Sequence, residues 1–163
     1  MKIRKTQATD MGIIMTIYAQ AKLFMQKNGN EGQWVDGYPS KDLIMKDLTK
    51  GNSYVCIDDK DEIIGTFCFA QGDDDTYAKI YNGSWLNNQP YGVVHRIAGT
   101  GKAKGIATFC LQWCFAQCHN IRIDTHQNNL IMQNILSQNG YTPCGIIYTE
   151  NGTERLAFQK YVE

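Results

Sequence analysis

The sequence predicts an α/β (α+β) fold, with residues 1–163 forming a single domain. It is a mixed, mostly antiparallel sheet of about six or seven strands flanked by about four helices. Three observations predict it. A chain of 163 residues is the length of one domain and can bury most of its apolar surface. Strand-like and helix-like apolar patterns take turns along it, with no repeat, low-complexity tract or Pro/Gly/Ser linker between them. Polar turn signals, Asp59-Lys60-Asp61 and Asn151-Gly152, join strand-like runs as hairpins.

Taken in order, Lys2 to Thr6 reads as a first strand. Thr9 or Asp10 is placed to cap a helix reaching about Lys27, with Ile13, Ile14, Ile17, Tyr18, Leu23 and Phe24 supplying apolar stripes. Asn28 to Pro39 is a glycine-rich loop carrying Trp34 and Tyr38. Ser40 caps a second helix to about Thr49, with Leu43, Ile44 and Leu48 inward. Ser53 to Asp58 and Glu62 to Ala70 form a hairpin, Thr76 to Tyr81 a further short strand, and Asn82 to Pro90 a loop holding Trp85. Tyr91 to Ala98 is apolar enough for a buried central strand. After a glycine-rich turn, a helix runs from about Lys104 to Cys118 and a strand from Ile121 to Thr125. Asn128 or Asn129 opens a last helix that stops at Asn139-Gly140. Tyr141 to Thr149 and Glu154 to Tyr161 pair around Asn151-Gly152.

The 16 basic and 16 acidic side chains balance, which argues against a nucleic-acid partner bound through a broad basic face. A local basic pocket for phosphates stays compatible with that balance. No segment approaches the roughly 20 apolar residues of a membrane span. The opening MKIRKTQATD lacks the apolar stretch of a signal peptide. No membrane partner is expected, and the expected location is cytoplasmic, with Cys56, Cys68, Cys110, Cys114, Cys118 and Cys144 as free thiols. Cys110, Cys114 and Cys118 recur every fourth residue on one helix side, beside His119. Cys118 and His119 point about 100° apart on a helix, and the spacing fits no zinc pattern. They read as small buried hydrophobes, and no metal is expected.

The informative segment is strand, glycine-rich turn, helix, from Val93 to Cys118. Glycines that free the N–H groups of a helix N-terminus make an anion site, and Lys102 and Lys104 add charge. A P-loop would need Ser or Thr after Gly101-Lys102, where Ala103 stands. Gly99, Gly101 and Gly105 make a dinucleotide fingerprint one residue too long, although Asp124 lies near the distance at which a ribose partner is found. The glycines could also do no more than make a tight turn.

A third reading rests on resemblance. Lys102-Ala103-Lys104-Gly105-Ile106-Ala107 resembles the Q/R-x-x-G-x-G/A motif of the GNAT N-acetyltransferases, with Lys replacing Gln or Arg. His95 to Ala98 is similar to the family's central strand, and Ile121 to His126 to the next one. Asn129, followed by Met132, Leu136 and Asn139-Gly140-Tyr141, resembles its later helix and GF/GY segment. The order of elements agrees over nearly the whole chain. The connection between Ala98 and the motif is short. The helix position that often carries the family's tyrosine acid is Leu136 here, so that role does not transfer.

The resemblance implies an acetyl-CoA-dependent N-acetyltransferase, with acetyl-CoA as cosubstrate. N–H groups of Lys102, Ala103, Lys104, Gly105, Ile106 and Ala107 would cradle the CoA pyrophosphate. Arg96, Ile97 and Ala98 would pair with the pantetheine amides, and Asn129 would touch the same arm. The central strand would part from Ile121 to Thr125, and a neutral amine would attack the acetyl carbonyl directly. The acceptor amine, of a small molecule or peptide, needs a base. Tyr91 to Ala98 holds no carboxylate, which leaves His95 as the base candidate, against a structural histidine. Strand alternation would send His95 and Arg96 to opposite faces. Tyr141 is the acid candidate, against a core aromatic; His126 reads as a surface residue. Trp34, Tyr38 and Trp85 are acceptor-side candidates on loops. Glu31, Asp36 and the Asp73-Asp74-Asp75 run could attract a cation, the run reading first as a solvated turn. The alternatives are a non-catalytic CoA-binding module and a dinucleotide-binding protein; a homodimer stays open.

Overall fold

A computed structural model describes residues 1–163. Seven strands form one sheet: β1 (Lys2–Lys5), β2 (Ser53–Ile57), β3 (Ile63–Gln71), β4 (Gly92–Gly99), β5 (Asn120–Thr125), β6 (Thr142–Tyr148) and β7 (Glu154–Tyr161). Four helices pack on it: α1 (Met11–Lys27), α2 (Lys41–Thr49), α3 (Ile106–Cys118) and α4 (Leu130–Gln138). The sheet order is β1-β2-β3-β4-β5-β7-β6, and every neighbouring pair is antiparallel except β4 and β5. A doubly wound dinucleotide fold, whose sheet is mostly parallel, is therefore not the architecture.

Period-two alternation sorts the strand residues between two faces. Val55, Ile57 and Ile63 pack with Ile14, Ile17, Tyr18 and Ile44 of α1 and α2. Cys56 and Ile64, one position along, pack with Ile106, Cys110, Leu111 and Cys114 of α3 and Leu136 of α4. Two of the three periodic cysteines are thus core residues, and the third, Cys118, donates its thiol to Asn120 O at 3.3 Å. All six cysteines are free thiols.

Several expectations are corrected. Ile14, Ile17 and Tyr18 are the inward stripe of α1, whereas Ile13, Leu23 and Phe24 are exposed. Asp10 does not cap α1. Its carboxylate accepts Gln7 N at 2.7 Å and pairs with Arg4 at 2.8 Å, closing a short 3-10 turn before the helix. Ser40 does cap α2, accepting Leu43 N. Thr76 to Tyr81 is not a strand: Asp75–Tyr77 is a 3-10 turn, and only Tyr81 bridges, to Ile146. Its apolar residues serve a separate small core in which Tyr77 packs with Tyr91, Val93, Ile147 and Ala157.

Two irregularities of β4 position the site. Its parallel pairing with β5 covers only Gly92↔Ile121 and Val93↔Arg122, after which the strands part. On its other edge Thr66 pairs with Ala98 and Cys68 with His95, so Phe67 faces both Arg96 and Ile97 in a β-bulge.

Candidate active site

Where β4 and β5 part there is a cavity of about 400 Å³. His95, Arg96 and Ile97 line it from β4, Ile123 and Asp124 from β5, and Trp34 and Tyr38 from the loop between α1 and α2. The bulge decides who meets whom. Arg96 adopts φ 54, so the alternation expected for a regular strand fails, and both His95 and Arg96 reach the cavity. Such a backbone persists only where its surroundings hold it. Here Tyr18 OH donates to Arg96 O at 2.8 Å, and the guanidinium donates to Tyr38 OH at 3.1 Å and to Asp47 at 2.5 Å. Burial alone would lower the Arg96 pKa. The neighbouring Tyr38, Cys68 and Asp47 outweigh it, and the group stays a cation.

His95 Nε2 lies 2.8 Å from Asp74 Oδ2. The other carboxylate oxygen accepts Thr76 N at 2.9 Å and Thr76 Oγ1 at 2.6 Å, and Asp74 N donates to Tyr91 OH at 3.1 Å. Burial would raise the Asp74 pKa. The hydrogen bonds from His95 and Thr76 overcome it and hold the carboxyl at about 2. The run of three aspartates is therefore not merely a solvated turn. Asp73 and Asp75 are exposed, while Asp74 turns inward. Beside the dyad, the fully buried Tyr77 donates to Asp124 Oδ2 at 2.6 Å, and Arg155 lies 4.0 Å from the other oxygen.

The glycine-rich turn lies past the end of β4. Gly101 and Gly105 take φ 75 and 77, a left-handed backbone that glycine adopts without strain. A Cβ at Gly105 would meet nothing within 4 Å. Lys102 N is taken by Thr100 Oγ1 at 3.2 Å, but the N–H groups of Ala103 to Thr108 meet no acceptor in the protein. The free set is thus shifted one residue from the expected Lys102 to Ala107. They crown the N-terminus of a 13-residue helix, and Lys102 and Lys104 are exposed beside them. Ile106 anchors that end by close approach: a Cβ at Gly65 would sit 2.7 Å from its Cγ2, and one at Gly99 3.3 Å. Gly99 is therefore a packing residue that ends β4 rather than part of the open turn.

The expected residues are not all brought together. His95, Arg96, Ile97, Asn129, Trp34 and Tyr38 line the cavity. Asn129 uses its Oδ1 to cap α4 through Met132 N and one amide N–H on Gln33. Tyr141 does not line it; it is buried in the α3-side core with an unpartnered hydroxyl and a pKa raised by burial. Trp85 is also elsewhere. Its Nε1 donates to Tyr77 O at 3.0 Å, and Arg122 stacks between its ring and that of Tyr91 at 4.4 and 4.0 Å. It anchors its loop. His126 lies at the end of β5, its Nδ1 accepting Asn128 N. Asp47 and Gln33 were missed as parts of the site, and Asp74 was named only within a run read first as a solvated turn. The one local signal was Asp74-x-Thr76, an aspartate placed to accept the N–H two residues on.

No protein-family profile matches the chain, and no curated protein sequence does. Solved structures do. A GNAT-family acetyltransferase from Streptococcus agalactiae is similar over 99% of this chain and 95% of its own length, at 33% identity and a TM-score of 0.89. One from Listeria monocytogenes is similar in fold over 99% and 94%, at 17% identity and TM-score 0.71. A GNAT-superfamily phosphinothricin acetyltransferase from Sinorhizobium meliloti, crystallised in complex with AcCoA, is similar in fold over 99% and 88%, at 15% identity and TM-score 0.66.

Proposed function

The chain belongs to the GNAT family of acetyltransferases, and from that premise we propose that it moves an acetyl group from acetyl-CoA to a primary amine of a small molecule or peptide by direct transfer. Residues 1–163 act as one catalytic unit in this reading. The observation that carries it is the alignment of two features: unpartnered amides at the start of α3, and a cavity where β4 leaves β5.

Acetyl-CoA fits the residues present. The open space over Gly105 and the free N–H groups of Ala103 to Thr108 suit a diphosphate, with Lys102 and Lys104 adding charge. Ile97 and Ala98 would hydrogen-bond the pantetheine amides along the edge that β5 leaves unpaired, as an added strand does. Asn129, with one amide N–H uncommitted, would meet the same arm. When bound, acetyl-CoA supplies an activated acetyl thioester. The chain's own groups do the rest. Trp34 and Tyr38 wall the acceptor side and exclude water. His95 takes the proton that a typical amine carries at neutral pH, so that a neutral nitrogen attacks. Main-chain N–H groups beside the bulge stabilise negative charge on the carbonyl oxygen.

A thiol-release assay with acetyl-CoA over a panel of primary amines tests this directly. Turnover with at least one amine, lost in His95→Gln, is expected. Tight acetyl-CoA binding without transfer to any amine would count against the acceptor class, and an undiminished His95→Gln against the base.

A further inference from the structure

The proposed base is not an isolated histidine, and its partner fixes which nitrogen works. An ionised carboxylate only accepts hydrogen bonds, so the 2.8 Å contact between Asp74 Oδ2 and His95 Nε2 requires the proton to sit on Nε2. A neutral imidazole with Nε2–H keeps its lone pair on Nδ1. Nδ1 has no hydrogen-bond partner in the protein and is not fully buried, on a side chain that lines the cavity and is 24% exposed. Asp74 is itself held from three directions. Thr76 N and Oγ1 donate to Oδ1, and Tyr91 OH accepts from the Asp74 main chain. A carboxylate this fixed has no freedom to release the ring.

We propose that Asp74 is a positioning residue that locks His95 as the Nε2–H tautomer, making Nδ1 the atom that receives the acceptor amine's proton. This rests on the reading of His95 as the base and deepens it. In the step, one N–H bond of the acceptor ammonium breaks and its electron pair stays on nitrogen. The proton bonds to Nδ1, the ring becomes an imidazolium paired with Asp74, and the proton later leaves to water.

Asp74→Asn is the telling variant, because an amide can donate to Nε2 and so hold the opposite tautomer, with Nδ1 protonated and useless as a base. On the full chain, long-range proton–nitrogen correlation of labelled histidine reads the tautomer; His95→Gln identifies the His95 signals among the three histidines. The native protein is expected to show Nε2–H, and Asp74→Asn to lose that pattern. With acetyl-CoA and the fastest amine of the panel, Asp74→Asn lowers kcat by about 10²–10⁴-fold while KM for acetyl-CoA stays within about twofold. Asp74→Glu restores part of the loss. A native Nδ1–H tautomer, or a kcat unmoved by Asp74→Asn, overturns the assignment to Asp74. An unmoved kcat in His95→Gln overturns instead the base reading beneath it. Should Asp74→Asn fail to fold, the native tautomer still decides, and should His95→Gln fail, His119→Gln and His126→Gln identify the His95 signals by elimination.

Discussion

The two ends of the cleft are built from different materials. At the start of α3 the chain offers backbone: consecutive N–H groups, two glycines at positive φ and exposed lysines, all within Thr100 to Thr108. At the proposed acceptor end the chain offers side chains drawn from far apart. Arg96 of β4 holds Tyr38 of one loop and Asp47 of α2, and His95 holds Asp74 of another loop. A backbone site depends on conformation, which a short glycine pattern encodes. A side-chain site depends on tertiary proximity, which no short pattern encodes.

That contrast predicts where single changes act. The largest effect is expected at Gly105. Its φ of 77 strains any side chain, and Gly105→Glu would add a negative charge among the amides proposed to hold the diphosphate. Affinity for acetyl-CoA is expected to fall by about 10³-fold, or about 4 kcal/mol, in a protein that still unfolds cooperatively. Calorimetric titration checks it. A folded Gly105→Glu protein with native affinity would mean that the backbone end is not the diphosphate site.

At the acceptor end the same size of perturbation should strike stability instead. Asp47→Ala leaves the buried Arg96 guanidinium without its carboxylate, while Tyr38 OH still accepts from it. Breaking a buried pair from one side is strongly destabilising, and about 2–3 kcal/mol is expected in denaturant unfolding. None of the α3 amides bonds to that pair, so the affinity for acetyl-CoA should change far less than the KM for the amine. Equal losses in both would erase the distinction between the ends.

The same division explains what could be read in advance. The elements and the hairpins follow from periodicity and turn residues such as Asn151-Gly152, the parting of β4 from β5 is what the family resemblance implies, and the open loop follows from Gly101 and Gly105. The bulge at Arg96 does not follow, because His-Arg-Ile-Ala carries no glycine to announce a positive φ; Tyr18, Tyr38 and Asp47 enforce it from outside. Regular alternation therefore misassigned the facing of Arg96. Thr76 to Tyr81 looked like a strand because its tyrosines are buried for another purpose, and Tyr141 and Trp85 could not be told from cavity residues until their neighbours were known. Asp74 was hidden between two solvated aspartates.

A smaller effect concerns acid. The Asp74 carboxyl is held at about 2 in the folded chain against about 3.9 when unfolded. A depressed carboxylate contributes stability that is fully present above the unfolded value and is lost as pH falls through the folded one. Thermal unfolding between pH 5 and pH 2 should therefore show a decline to which this group adds on the order of 1–2 kcal/mol. Asp74→Asn should flatten that part of the curve. An unchanged slope would mean that the dyad contributes nothing to folding.

The smallest effect separates charge from backbone within the phosphate end itself. Lys102 Nζ lies 3.7 Å from Glu62, with both side chains more than half exposed, so Lys102→Ala should cost less than about 0.5 kcal/mol of stability. Its contribution to binding would be a screened, long-range attraction, whereas the N–H groups of Ala103 to Thr108, free of partners in the protein, would meet a bound diphosphate at hydrogen-bond distance. Lys102→Ala should therefore weaken acetyl-CoA binding about two- to fivefold at low salt, and the difference from native protein should shrink as ionic strength rises. If Lys102→Ala instead matched the loss of Gly105→Glu at physiological salt, the lysine rather than the main chain would be holding the diphosphate, and both ends of the cleft would be built from side chains.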